Sequence, residues 1–207
     1  MEQLSLMHNL EQPTDRDPLQ QHVEGLSYTD RFITAGEERR LVELLDNAPW
    51  SIELRRRVQH YGYRYDYRKR NLAPDDFIGA LPAWAIVLGD RLVARGFFDA
   101  RPDQVIVNEY MPGQGIASHT DRETCFGEQV ASISLLSTVI MDFTKSGEAI
   151  SIPLKPRSLV AMQGAARHTW RHGITARQND RIDGIVVQRT RRISLTFRTV
   201  IDSARLP

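Results

Sequence analysis

The segment Arg192-Ile193-Ser194-Leu195-Thr196-Phe197-Arg198 constrains this chain more than any other, because polar and apolar residues alternate along it without a break. A period of two is the period of a strand. Ile193, Leu195 and Phe197 therefore share one face, and Arg192, Ser194, Thr196 and Arg198 the other. The arginine face looks either to solvent or to a polar interior. If it is interior it requires anionic partners, since an unpaired buried charge is very costly. A dicarboxylate meets that requirement, with planar guanidinium forks gripping its carboxylates.

Other short β-branched runs precede this strand. They are Val105-Ile106-Val107, Ser132 to Phe143, Ile150-Ser151-Ile152, Ser158 to Met162 and Gly184 to Gln188, separated by Pro, Gly, Asn and Asp turns. Upstream the texture is helical. Thr34 is an N-cap candidate for a helix carrying Leu41, Val42, Leu44 and Leu45, which should stop near Asn47-Ala48-Pro49. Pro82 opens a second helix with a stripe of Ala85, Leu88, Leu92 and Val93. The expected fold class is α+β, mainly β: a double-stranded β-helix (jelly roll) with N-terminal helices packed on the larger sheet.

A chain of 207 residues suits one domain, expected over residues 25–207 after a loosely ordered polar arm at 1–24. Charge nearly cancels, with 27 Lys+Arg against 26 Asp+Glu, so any nucleic-acid affinity must come from local clusters. Such clusters are Arg55-Arg56-Arg57, Arg68-Lys69-Arg70 and Arg189 with Arg191-Arg192, although runs of this kind are more often solvated faces. The single cysteine, Cys125, excludes an internal disulfide framework. No apolar stretch approaches the roughly 18 residues of a membrane span, and the N-terminus lacks a secretory pattern. A cytoplasmic monomer is expected.

His119-Thr120-Asp121 places an imidazole and a carboxylate at i and i+2, on one face if the segment is extended. One distant histidine would complete a two-His, one-carboxylate facial triad, the ligand set of Fe(II) oxygenases that leave coordination positions open for oxygen and a co-substrate. His168 and His172 are the candidates, and His172 precedes Gly173-Ile174. Asn108 and Tyr110, within Asn108-Glu109-Tyr110-Met111-Pro112-Gly113, share a strand face and could hydrogen-bond one co-substrate. Between helices and strands, residues 52–72 are rich in tyrosine and arginine, with Tyr61, Tyr63, Tyr65 and Tyr67 on one side if extended. A hairpin or lid is expected there.

Taken together, NEYMPG, HTD, RHTWRHGI and RRISLTFR resemble, in order and spacing, the AlkB family of Fe(II)/2-oxoglutarate-dependent dioxygenases over roughly residues 26 to 200. The resemblance implies that His119, Asp121 and His172 bind Fe(II) and that Arg192 grips the distal carboxylate of 2-oxoglutarate, assisted by Tyr110 and Ser194. It places Arg198 and Asn108 near the keto-acid end and the metal. Ser194 stands where several relatives carry Asn, and retains a hydrogen-bonding hydroxyl. Residues 52–72 would form a nucleotide-recognition lid, with Tyr63 and Tyr65 stacking on a flipped base and Glu123 facing it. The implied reaction consumes O2 and 2-oxoglutarate and demethylates N-alkylated bases of DNA or RNA, single strands included, releasing formaldehyde, succinate and CO2. The alternative is a tRNA-modification hydroxylase, or a protein demethylase or hydroxylase, of the same family.

Overall fold

Local chemistry sets the first helix. The Thr34 hydroxyl accepts from the Glu37 amide, and the Glu37 carboxylate accepts from the Thr34 amide, a reciprocal cap that satisfies two otherwise orphaned donors. In the computed structural model, which describes residues 22–201 except 70 and 73, the chain runs β1 (Leu26–Thr29), α1 (Ala35–Asp46), β2 (Val58–Tyr61), α2 (Ala83–Ala94), β3 (Gln104–Tyr110), β4 (Ile116–His119), β5 (Phe126–Leu135) and β6 (Val139–Lys145). It continues through β7 (Glu148–Leu154), β8 (Leu159–Met162), the short α3 (Gly164–His168), β9 (Arg171–Ile174), β10 (Asn179–Ile182), β11 (Ile185–Gln188) and β12 (Arg192–Val200). The expected arm falls mostly outside the described residues, as does Arg70. Val23 is already fully buried in the core, ahead of the expected start at Gly25.

A six-stranded antiparallel sheet, ordered β1-β8-β5-β12-β3-β2, faces a four-stranded one, ordered β4-β9-β6-β7, as a jelly roll requires. β12 sits inside the larger sheet, bonded to β3 on one side and β5 on the other. Its two faces have opposite fates. Ile193, Leu195 and Phe197 are fully buried against Leu41 and Leu45 of α1 and Leu88 and Leu92 of α2. Each such side chain contributes on the order of 1.5–3 kcal/mol of transfer free energy, which is why the helices cover this face. Arg192, Ser194, Thr196 and Arg198 point instead into a cavity between the sheets.

Two expectations need correction. Ser132 to Phe143 is not one strand: Leu136 adopts a positive φ of 72°, so β5 ends at Leu135 and β6 begins in the other sheet. The apolar run is continuous because both strands are inward-facing, and composition cannot mark the turn. The tyrosines also do not share one face. β2 stops at Tyr61 because Gly62 has φ +79° and lies so close to Asp103 that an added Cβ would be 1.9 Å from its carbonyl oxygen. Tyr61 then packs edge-on to Trp84 of α2, and Tyr63 to Phe77, while Tyr65 and Tyr67 reach the cavity.

Candidate metal centre

β4 and β9 pair with His119 opposite His172, so the two imidazoles come from adjacent strands with ring centroids 4.5 Å apart. Gly173 makes this approach feasible, since a Cβ there would lie 2.9 Å from the backbone of Ser118. Asp121 follows His119 just past the end of β4. One ligand atom from each of His119, Asp121 and His172 lies within 4.8 Å of the others, which suits a single ion. His168, the other histidine candidate, faces away to Glu123 and Glu128.

The protonation states suit a cation. The His119 Nδ1 lies 2.9 Å from the Ala117 carbonyl, which can only accept, so Nδ1 carries the proton and Nε2 is left for a metal. Burial pushes the His172 pKa down to about 4, Asp121 opposes this, and His119, Arg198 and Arg167 reinforce it. Burial would raise the Asp121 pKa, but Arg198, the two histidines and Arg167 hold it well below the usual carboxylate range. A neutral imidazole and an ionised carboxylate are the metal-binding forms.

Arg198 donates from Nε to Oδ1 of Asp121 at 2.7 Å, leaving Oδ2 buried without a hydrogen-bond partner. It thus orients a ligand carboxylate through one oxygen and frees the other. Arg192 is fully buried, and only its Nη2 is engaged, 2.9 Å from the Ser134 hydroxyl. Nε and Nη1 have no partner, the guanidinium lies 5.3 Å from the Tyr110 ring centre, and burial lowers its pKa to about 10. A buried cation with two open donors fits an incoming carboxylate. Tyr110, Ser194 and Asn108 line the same cavity of about 310 Å³.

Known proteins resemble this chain in sequence and in fold. The 2OG-Fe(II) oxygenase superfamily matches residues 4–198. The chain is 34% identical to the uncharacterized protein L905 of Acanthamoeba polyphaga mimivirus, covering 87% of each. It is 34% identical to the tRNA (carboxymethyluridine(34)-5-O)-methyltransferase ALKBH8 of Macaca fascicularis over 85% of this chain, and spans 30% of that protein. The solved structure of OsALKBH1 superposes with a TM-score of 0.64 at 17% identity, over 84% of this chain and 96% of that one, a likeness of fold.

The chain is an AlkB-family 2OG-Fe(II) oxygenase.

This 2-oxoglutarate-dependent dioxygenase uses Fe(II), 2-oxoglutarate and O2. Around its entrance the expected residues are dispersed. Tyr65 lines the cavity and packs on Phe126 at 5.5 Å, whereas Tyr63 rests against Phe77 outside the cavity wall. Glu123 turns outward to His168, 3.1 Å from its Nδ1, and does not line the cavity. The basic runs divide likewise. Arg57 pairs with buried Glu109, and Arg191 with Glu109 and Asp46, so both are structural. Arg68 and Lys69 fold back on Asp66 through their backbone amides.

Tyr67 and Arg167 were given no individual role from the sequence, and Arg56 was expected only as one of a run, Arg55 to Arg57, that could hold phosphates. Tyr67 lines the cavity with its hydroxyl buried and unpartnered, and Arg56 lines it too, donating to the Asn108 side-chain oxygen at 2.9 Å and lying over the Tyr67 ring. Arg167 is buried behind Asp121. Nothing in an alternating row of tyrosines or a basic run distinguishes these members from their neighbours. Among the described residues no helix is long and apolar enough to cross a membrane.

Proposed function

We propose that this dioxygenase oxidises an alkyl substituent on a single unstacked nucleobase of an RNA or DNA strand, releasing an N-methyl group as formaldehyde. The observation that carries the reading is the position of Tyr65, Tyr67 and Arg56 on the wall of the cavity that holds the triad. Aromatic rings with a cation at the mouth suit a planar base and its phosphate. A cleft of about 480 Å³ opens beside the cavity, shares Arg56, Ile116, Ala117 and Ile174 with it, and adds Arg55. It offers room for a neighbouring nucleotide.

When bound, iron with 2-oxoglutarate and O2 supplies the oxidation of a C–H bond, converting 2-oxoglutarate to succinate and CO2. Arg192 holds a carboxylate of the co-substrate at the cavity floor, and Arg198 keeps Asp121 ionised and oriented. Tyr65, Tyr67 and Phe126 exclude water above. A methyl carbon bonded to nitrogen, once hydroxylated, leaves as formaldehyde: its C–N bond breaks, its oxygen becomes the carbonyl, and the hydroxyl proton passes to nitrogen. On a carbon bonded to carbon the hydroxyl stays.

The second outcome defines a second reading, hydroxylation of a tRNA base. It is favoured by Glu123 lying outside the cavity and by the tRNA-directed name of the ALKBH8 relative. Incubation with methylated DNA and RNA oligonucleotides and with bulk tRNA, read by mass spectrometry, separates the two. Loss of a methyl group with formaldehyde supports demethylation, and gain of one oxygen in a tRNA nucleoside supports hydroxylation. Turnover with peptides alone would remove both.

A further inference from the structure

Arg167 belongs to α3 and is 1% exposed, one of the largest fully buried side chains. Burying a guanidinium costs several kcal/mol, so its partners must explain its presence. They are three main-chain carbonyls. Nη1 donates to Asp121 at 2.8 Å, Nη2 to Phe126 at 3.2 Å and Nε to Gly127 at 3.3 Å. Among the described residues no carboxylate forms an ion pair with it.

The acceptors all lie on one stretch, from the metal-ligating Asp121 to the start of β5. Their donor lies on the segment that enters β9 and delivers His172. The guanidinium therefore ties together two segments that each carry a metal ligand. Only the planar fork, with five donors in fixed directions, reaches three carbonyls at once, and a lysine ammonium would serve fewer. The carbonyl dipoles offset the buried charge without neutralising it, so the cation also acts on the Asp121 carboxylate nearby. Phe126, held by the same fork, supports Tyr65 and lies 4.8 Å below the Arg198 guanidinium. Outside, His168 adds an exposed clamp to the same stretch through Glu123 and Glu128.

We infer that Arg167 is a positioning residue for the iron site: its fork sets the spacing of Asp121 against His172, and with it the affinity for the metal. It does not line the cavity and acts through the backbone behind Asp121. Outer residues that orient metal ligands are typically worth roughly 10–100-fold in affinity.

The test is Mn(II) titration of metal-free wild type, Arg167→Met and Arg167→Lys, each checked for folding by circular dichroism and thermal melting. Mn(II) affinity should fall about 10–100-fold in Arg167→Met and recover in part in Arg167→Lys, with the electron paramagnetic resonance spectrum of bound Mn(II) altered in both. A purely structural role would lower the melting temperature but leave the affinity and spectrum of the folded fraction unchanged, and folded Arg167→Met binding Mn(II) within about twofold of wild type overturns the inference. If Arg167→Met does not fold, Arg167→Lys decides by the same measurement. Failure of both to fold would make Arg167 a folding residue and reject the positioning role.

Discussion

Arg189 and Arg192 flank Thr190 and Arg191, and both are buried, but their surroundings differ in kind. At the base of the β10–β11 hairpin, Arg189 forms a two-point ion pair with Asp180, at 2.6 and 2.8 Å, and donates a further bond to the Thr175 carbonyl at 2.8 Å. On the cavity floor, Arg192 keeps two of its three nitrogens unpartnered. Burial alone therefore does not mark a functional cation. A satisfied fork is a staple, whereas a half-open one has donors free for an incoming anion, the role proposed for Arg192 toward the co-substrate.

The largest effect should come from the group that both oxygen chemistry and co-substrate binding depend on. His172→Ala should abolish the Mn(II) site and reduce succinate formation on the order of 1,000-fold. Metal titration that remains undiminished would show that His172 is not a ligand and leave Arg192 without its role.

Next come the two arginines themselves. Arg192→Met should raise the KM for 2-oxoglutarate about 100-fold, roughly 3 kcal/mol, while leaving thermal stability unchanged or improved, because an uncompensated charge is removed. Arg189→Met should do the reverse, costing about 1.5–3 kcal/mol of stability because buried Asp180 loses its two-point partner and keeps only Arg177 and the Ile140 amide, with the KM nearly unchanged. If the two variants behave alike, the contrast between staple and receptor fails.

The metal-free protein should also lose stability in acid. Burial holds His60 at about 4 when folded, below its ordinary 6.5, and it does the same to His172. A depressed histidine binds its proton more readily in the unfolded chain. Stability is therefore complete above pH 6.5 and falls as pH drops toward 4, by no more than about 3 kcal/mol per group. Urea denaturation across this range measures it, and a flat profile would show that these sites are wetter than the arginine contrast assumes.

The smallest effect belongs to the substrate end. Tyr67→Phe should slow turnover of the nucleic-acid substrate about fivefold, near 1 kcal/mol, without changing the KM for 2-oxoglutarate. An altered co-substrate KM would move Tyr67 from the substrate group to the arginine group.

Legibility followed the same division. The alternation of β12 separated Ile193, Leu195 and Phe197 from Arg192, Ser194 and Arg198 residue by residue, because a strand buried on both faces enforces the period of two. The Thr34 cap and the stripe of α2 were equally direct. Local pattern was silent where the chain turns without a compositional break, at Leu136 and at Gly62. It was silent again at Glu123, where position relative to Asp121 suggested the cavity but the backbone turns the side chain toward His168.

By itself the sequence determined the strand that carries both arginines, the helix that caps itself, and the residue types able to hold a metal. Each depends on neighbours a few positions away, and periodicity and capping chemistry act at that range. Only the tertiary structure decided that His119 and His172 stand opposite each other on paired strands, that Arg192 is open while Arg189 is closed, and that Arg167 reaches across to the carbonyls behind Asp121. Those facts are distances between segments far apart in the chain. They arise when two sheets close on each other and fix which buried charges find partners.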